Sequence, residues 1–161
     1  MTEKVRTYQQ REMRMLSEFI AREYPTDRVL INQRLGVVSP SIEVEGLSPE
    51  EVRALGVFRR YADAIVIQPD RLIIIEAEIR PSPGVVSQLD LYERLLPTTP
   101  ELADQRGKRI QKMILWVIPD PVLETIAREH DIVVRQYIPA WINDYIGSLD
   151  HRKRVATKMA I

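Results

Sequence analysis

The sequence predicts an α/β fold, one mixed β-sheet flanked by helices, with elements in the order αβββαβαβ plus a C-terminal helix. Three observations carry this. Two apolar, β-branched runs, Phe58–Ile67 and Arg71–Ile79, are joined by Gln68-Pro69-Asp70-Arg71, whose turn chemistry makes them an antiparallel hairpin. Two later apolar runs, Ile110–Ile118 and Ile132–Ile138, are separated by a helical stretch and should therefore lie parallel. The 161 residues, 45% of them apolar, suffice for the core of one compact domain.

Taken in order, Glu3–Tyr24 reads as a helix, with Val5, Tyr8, Leu16, Phe19 and Ile20 on one face and Pro25 ending it. Glu12 projects onto the middle of that apolar face. Arg28–Leu35 reads as a strand closed by Gly36. Val37–Gly56 is a connection with a short helix of its own, opened by the capping box Ser48-Pro49-Glu50-Glu51. After the hairpin, Ser82-Pro83 opens a second long helix that runs to about Leu96 and stops at Pro97. Thr99-Pro100-Glu101 suggests a further short helical turn. Ile110–Ile118 is nearly unbroken in its apolarity, as a strand covered on both faces should be. Asp120-Pro121 starts a helix through about His130. Pro139–Ile146 reads as helical and Gly147 breaks it. Residues 1–147 thus form a single domain, followed by a basic tail, 148–161, compatible with a helix.

Composition narrows the function. There is no cysteine, hence no disulfide framework, thiolate metal site or cysteine nucleophile. No apolar run approaches the roughly 18 residues that span a bilayer, and the polar start MTEKVRTYQQREMR lacks the apolar stretch of a signal peptide. The expectation is an intracellular protein, cytoplasmic, or virion-associated if viral, with no membrane partner. Lys and Arg number 23 and Asp and Glu 23, so formal net charge is zero, which argues against a protein that coats nucleic acid through bulk charge. No glycine-rich phosphate loop is present, which excludes P-loop and dinucleotide-binding chemistry.

The chemistry-bearing residues are Asp63, Glu76 and Glu78. Alternate residues of a strand share a face, so Glu76, Glu78 and Arg80 point the same way. Pairing Ile67 with Leu72 across the turn sets Asp63 opposite Glu76, with β-carbons roughly 4.5–5.5 Å apart. Like charges so placed destabilise a sheet, the more so in runs as apolar as 62–67 and 72–79. They need a proton, a positive partner or a metal, and carboxylate oxygens suit Mg²⁺ or Mn²⁺. The alternative is a solvated strand edge where these acids pair with Arg59, Arg60 or Arg80.

Asp63, followed on the next strand by Glu76-Ala77-Glu78, resembles the metal-binding signature of the PD-(D/E)xK nuclease superfamily. The element order over roughly residues 5–138 is similar too. Gln88 and Tyr92, four apart on one face of the following helix, resemble the Gln-x-x-x-Tyr motif of the RecB-like branch. The resemblance implies a restriction-endonuclease-like core and Mg²⁺- or Mn²⁺-dependent cleavage of DNA. It implies that Asp63 and Glu76 hold the metal with Glu12 beside it, and that Gln88 and Tyr92 position the phosphate or brace the site. It also implies a homodimer or a component of a larger assembly. The motif lysine is Glu78 here. A glutamate there can serve as general base or further ligand, or Arg80 can supply the missing positive charge without acting as a base. A third outcome is lost catalysis, the fold being kept for assembly, as in a phage neck or head-completion component or a subunit of a DNA-processing complex.

The remaining signals have plainer readings. His130 suits a helix C-terminal charge or cap. Trp116 reads as core. Tyr137, Trp141 and Tyr145 read as core or an oligomer contact, with base stacking as the alternative. The clusters Arg6, Arg11, Arg14, Arg22 and His151-Arg152-Lys153-Arg154 with Lys158 are either solvated faces or nucleic-acid contacts.

Overall fold

The computed structural model describes residues 3–36 and 60–148, and the fold is a five-stranded mixed sheet between two helical layers. Helix α1 (Glu3–Glu23) is followed by β1 (Arg28–Arg34), β2 (Tyr61–Ile67), β3 (Arg71–Glu78), α2 (Gly84–Leu95), two 3₁₀ turns (Leu96–Thr98 and Pro100–Gln105), β4 (Arg109–Trp116), α3 (Pro121–Glu129) and β5 (Ile132–Gln136). A last helix, α4, covers 142–148. The strands lie in chain order. The β1–β2 and β2–β3 pairs are antiparallel, and β3–β4 and β4–β5 parallel. The hairpin register is the expected one, Ile67 with Leu72, closed by the Gln68 amide donating to the Arg71 carbonyl (2.9 Å).

Period-2 alternation assigns the two faces. On β3, Leu72 and Ile74 pack against Val85, Leu89 and Tyr92 of α2, and Leu123 and Ala127 of α3 join the same layer. Ile73, Ile75 and Ala77 face the other way, onto Met15, Leu16 and Phe19 of α1 and Ile142 and Tyr145 of α4. Each such fully buried aliphatic side chain contributes roughly 1.5–3 kcal/mol. Trp116 is 2% exposed, as a core residue should be.

The differences from the sequence-based expectation have local causes. Strands β1, β3, β4 and β5 each end one or two residues early, as strand ends commonly do. Arg60 precedes β2 rather than lying inside it. Helix α2 begins at Gly84, not at Ser82-Pro83, because Ser82 spends its amide and hydroxyl on the Glu78 carboxylate instead of capping the helix. Gly147 does not break the last helix. A lone exposed glycine costs about 1 kcal/mol there, and the helix runs on through it. Lys112, unremarked in the apolar β4 run, is buried and pairs with Asp90 (2.8 Å) and Glu93 (2.9 Å) of α2, while His130, the C-cap of α3, binds Asp90 by Nδ1 at 2.6 Å. The connection with its Ser48 capping box, Phe58 and the tail from 149 onward, including His151–Arg154 and Lys158, lie outside the described residues, as do the side chains of Val5, Arg6 and Tyr8.

No described helix is long and apolar enough to cross a membrane. The aromatic group near the C-terminus is spent inside the chain. Arg14 stacks over Trp141 (4.5 Å), Arg11 over Tyr145 (3.7 Å), and the Trp141 indole donates to Glu18 (2.9 Å). Arg14 and Arg22 of the first basic cluster also pair with Glu18 and Glu23.

Asp120 caps α3 by accepting from the amides of Val122 and Leu123. Asp120→Ala is expected to lower unfolding free energy by about 1 kcal/mol in urea titrations, with an unchanged m-value.

Candidate active site

The site lies where β2 begins and β3 ends. Glu76, 5% exposed, is one of the few charged residues of the core. Asp63 and Glu78 are half-buried, and Glu12 of α1 reaches the same strand end from the other layer, accepting the Ile79 amide (3.2 Å). Two sheet elements and one helix thus bring together the four acids expected from sequence.

Their hydrogen bonds show what holds them. The Asp63 amide donates to Glu76 Oε1 (3.1 Å), and the Ala77 amide donates to Asp63 Oδ2 (2.9 Å). Each carboxylate therefore takes a backbone N–H of the opposite strand, and the regular β2–β3 ladder stops one pair earlier, at Ala64 and Ile75. Glu76 Oε2 accepts from Gln88 Nε2 (3.1 Å). The same Nε2 donates to the Tyr92 hydroxyl (2.6 Å), which gives its own proton to the Tyr61 carbonyl (2.9 Å). This direction fixes the amide orientation of Gln88. With both N–H groups of Gln88 engaged, Gln88 and Tyr92 brace Glu76 rather than reach outward. Burial and the nearby Glu76 push the Tyr92 phenol up to about 12, so it stays a donor.

The electrostatics are one-sided. Burial raises all four acids above their ordinary values. Glu12 is pushed to about 8, first by burial and then by Glu78 and Asp63 nearby. Glu76 is raised well above the carboxylate range by burial and by Asp63 across the hairpin. Asp63 rises through burial, the Ala77 amide holding it back, and Glu78 rises likewise against its bonds to Ser82. Among the described residues none of the four forms an ion pair. The solvated-edge alternative thus loses Arg60 and Arg80 as partners, and Arg59 lies outside the described residues. Arg80 is exposed and beyond the end of β3, so the structure does not bring it to the carboxylates.

The donor set is all oxygen and carries excess negative charge, the chemistry of a hard divalent cation such as Mg²⁺ or Mn²⁺. Among the described residues no group of three or more His, Asp or Glu side chains gathers tightly enough to enclose an ion. A cation there would have to rest on one or two of these carboxylates and take its remaining ligands from water. Sequence reasoning missed two contributors: Ser82, whose position four residues after Glu78 was spent on a supposed helix start, and the Tyr61 carbonyl, which no side-chain pattern reveals.

No protein-family model matches this chain, and no curated protein matches its sequence.

The raised acids bind protons more tightly in the folded than in the unfolded chain. Their contribution to stability is full at acidic pH and is lost as pH rises, for Glu12 between about 4.5 and about 8. The metal-free protein should accordingly melt at lower temperature at pH 8 than at pH 5. Glu12→Gln, which keeps an oxygen for the Ile79 amide, should recover on the order of 1–2 kcal/mol at pH 8 after solvent screening. A flat melting profile across this range would contradict the uncompensated cluster.

Proposed function

We propose that this chain is a metal-dependent deoxyribonuclease of the PD-(D/E)xK type, hydrolysing DNA phosphodiester bonds. The observation that carries the reading is the Asp63–Glu76 pair. Two carboxylates are desolvated across one hairpin with no cationic partner among the described residues, and Gln88 and Tyr92 brace Glu76 in the positions the motif requires. Asp63 and Glu76 would hold Mg²⁺ or Mn²⁺, with Glu12 beside them. A cation held there supplies Lewis acidity toward a phosphate oxygen and acidifies a water molecule. The Asp63 and Ala77 amides fix the two carboxylates against the strands, so their free lone pairs keep one direction. Gln88 prevents Glu76 from rotating, and Tyr92 in turn fixes Gln88. Glu78, oriented by both donors of Ser82, is placed to act as the base toward an attacking water.

One observation favours a second reading. The lysine of the motif is replaced by Glu78, and Arg80, the nearest substitute, is exposed beyond the end of β3 and forms no ion pair with the acids among the described residues. On that reading the fold has lost catalysis and serves an assembly.

Linear and circular DNA with Mg²⁺ or Mn²⁺ decides between them. The nuclease reading expects cleavage that Asp63→Ala and Glu76→Ala abolish, that Gln88→Ala lowers about 10–100-fold, and that Glu78→Gln lowers roughly 100-fold. No cleavage with either metal would favour the assembly reading. Higher activity in Glu78→Lys would make position 78 a degraded lysine site rather than a base.

A further inference from the structure

Asn32 sits in the middle of edge strand β1 with φ +51°, a left-handed conformation that asparagine tolerates better than other residues carrying a β-carbon. It stands level with Asp63. The β1–β2 register pairs Ile31 with Ala64 and Gln33 with Ala62 and skips the pair between them, Asn32 with Asp63.

The hydrogen bonds on either side of that gap are out of phase. The Gln68–Arg71 bond that closes the hairpin makes 66 with 73 and 64 with 75 the pairs that exchange backbone bonds, because such pairs recur every second residue. The same count asks Ala62 to exchange with Ala77. On the other side of β2, however, the Leu35 amide donates to the Arg60 carbonyl (2.9 Å), so residue 60, and with it 62, turns its bonds toward β1. The β2 backbone therefore changes sides at Asp63. Side chains record the same inversion: Ala64 and Val66 join the α1 layer, whereas Ala62, two residues earlier, joins the α2 layer. Ala77 is left without its ladder partner, and its amide goes to the Asp63 carboxylate. The Asp63 amide, turned away from β1, goes to Glu76.

We propose that Asn32 is a positioning residue: its left-handed turn inverts the pleat at Asp63 and thereby frees the two backbone amides that hold Asp63 and Glu76 together. The proposal deepens the nuclease reading and rests on it only for its catalytic readout. Asn32 is exposed, so its substitution tests backbone conformation rather than packing. Glycine accepts the left-handed region freely, and valine opposes it.

The test compares wild type, Asn32→Gly and Asn32→Val by backbone-amide NMR and by DNA cleavage with Mg²⁺. Asn32→Gly should leave the Asp63 and Ala77 amide resonances in place and cleave within about twofold of wild type. Asn32→Val should shift those two resonances, leave those of α3 and β5 unmoved, and lower kcat about tenfold or more with KM for DNA little changed. Should Asn32→Val fail to fold, Asn32→Thr, equally β-branched but polar as this exposed position allows, serves in its place. A folded valine or threonine variant whose Asp63 and Ala77 amides keep their wild-type resonances overturns the proposal. If the amides move as expected but wild-type protein cleaves nothing, the positioning role stands and the nuclease reading falls.

Discussion

Removing a carboxylate from water costs several kcal/mol unless a charge or a set of hydrogen bonds replaces the lost hydration. Asp63, Glu76, Glu78 and Glu12 all bear that cost at one strand end, and the local architecture follows from how it is met. Backbone amides of Asp63, Ala77, Ile79 and Ser82 each donate to one of the four. The strand ladder opens to release two of those amides, and α2 starts late because Ser82 is committed to Glu78. These bonds offset part of the desolvation. They do not cancel it: burial keeps all four acids raised, and neighbouring carboxylates add to it at Glu12, Glu76 and Glu78.

The contrast within the same sheet is instructive. Lys112 is as buried as Glu76, yet two carboxylates of α2 meet it and His130 extends the network through Asp90. That charge is balanced locally, and its surroundings make a closed structural unit between β4, α2 and α3. The acids at the other end have no such counterpart among the described residues. The same sheet thus neutralises a buried lysine and, among the described residues, leaves its buried carboxylates unpaired.

Much of this was legible in the sequence. The hairpin turn at Pro69-Asp70 fixed the register, and register alone placed Asp63 opposite Glu76. Helical spacing put Gln88 and Tyr92 on one face, and the apolar stripe of α1 carried Glu12 inward. What remained hidden depended on backbone direction. Counting along strands assumes an unbroken pleat, so it could not show that the pleat inverts at Asn32 and Asp63 or that the carboxylates replace ladder bonds. Arg80 was placed on the face of Glu78 by the same assumption, but β3 ends before it. Ser82-Pro83 carried a helix-start signal that a competing acceptor, Glu78, overrode. Zero net charge concealed its own distribution, since four of the acids sit together in apolar surroundings rather than among surface counterweights.

On the proposed reading, the buried acids hold protons that a divalent cation would displace. Calorimetric titration of Mn²⁺ into the metal-free protein near pH 7, repeated in buffers of different ionisation enthalpy, measures cation binding and proton release together. The expected result is binding accompanied by net proton release, both lost in Asp63→Asn. Absence of binding, or binding that releases no proton and survives Asp63→Asn, would contradict it.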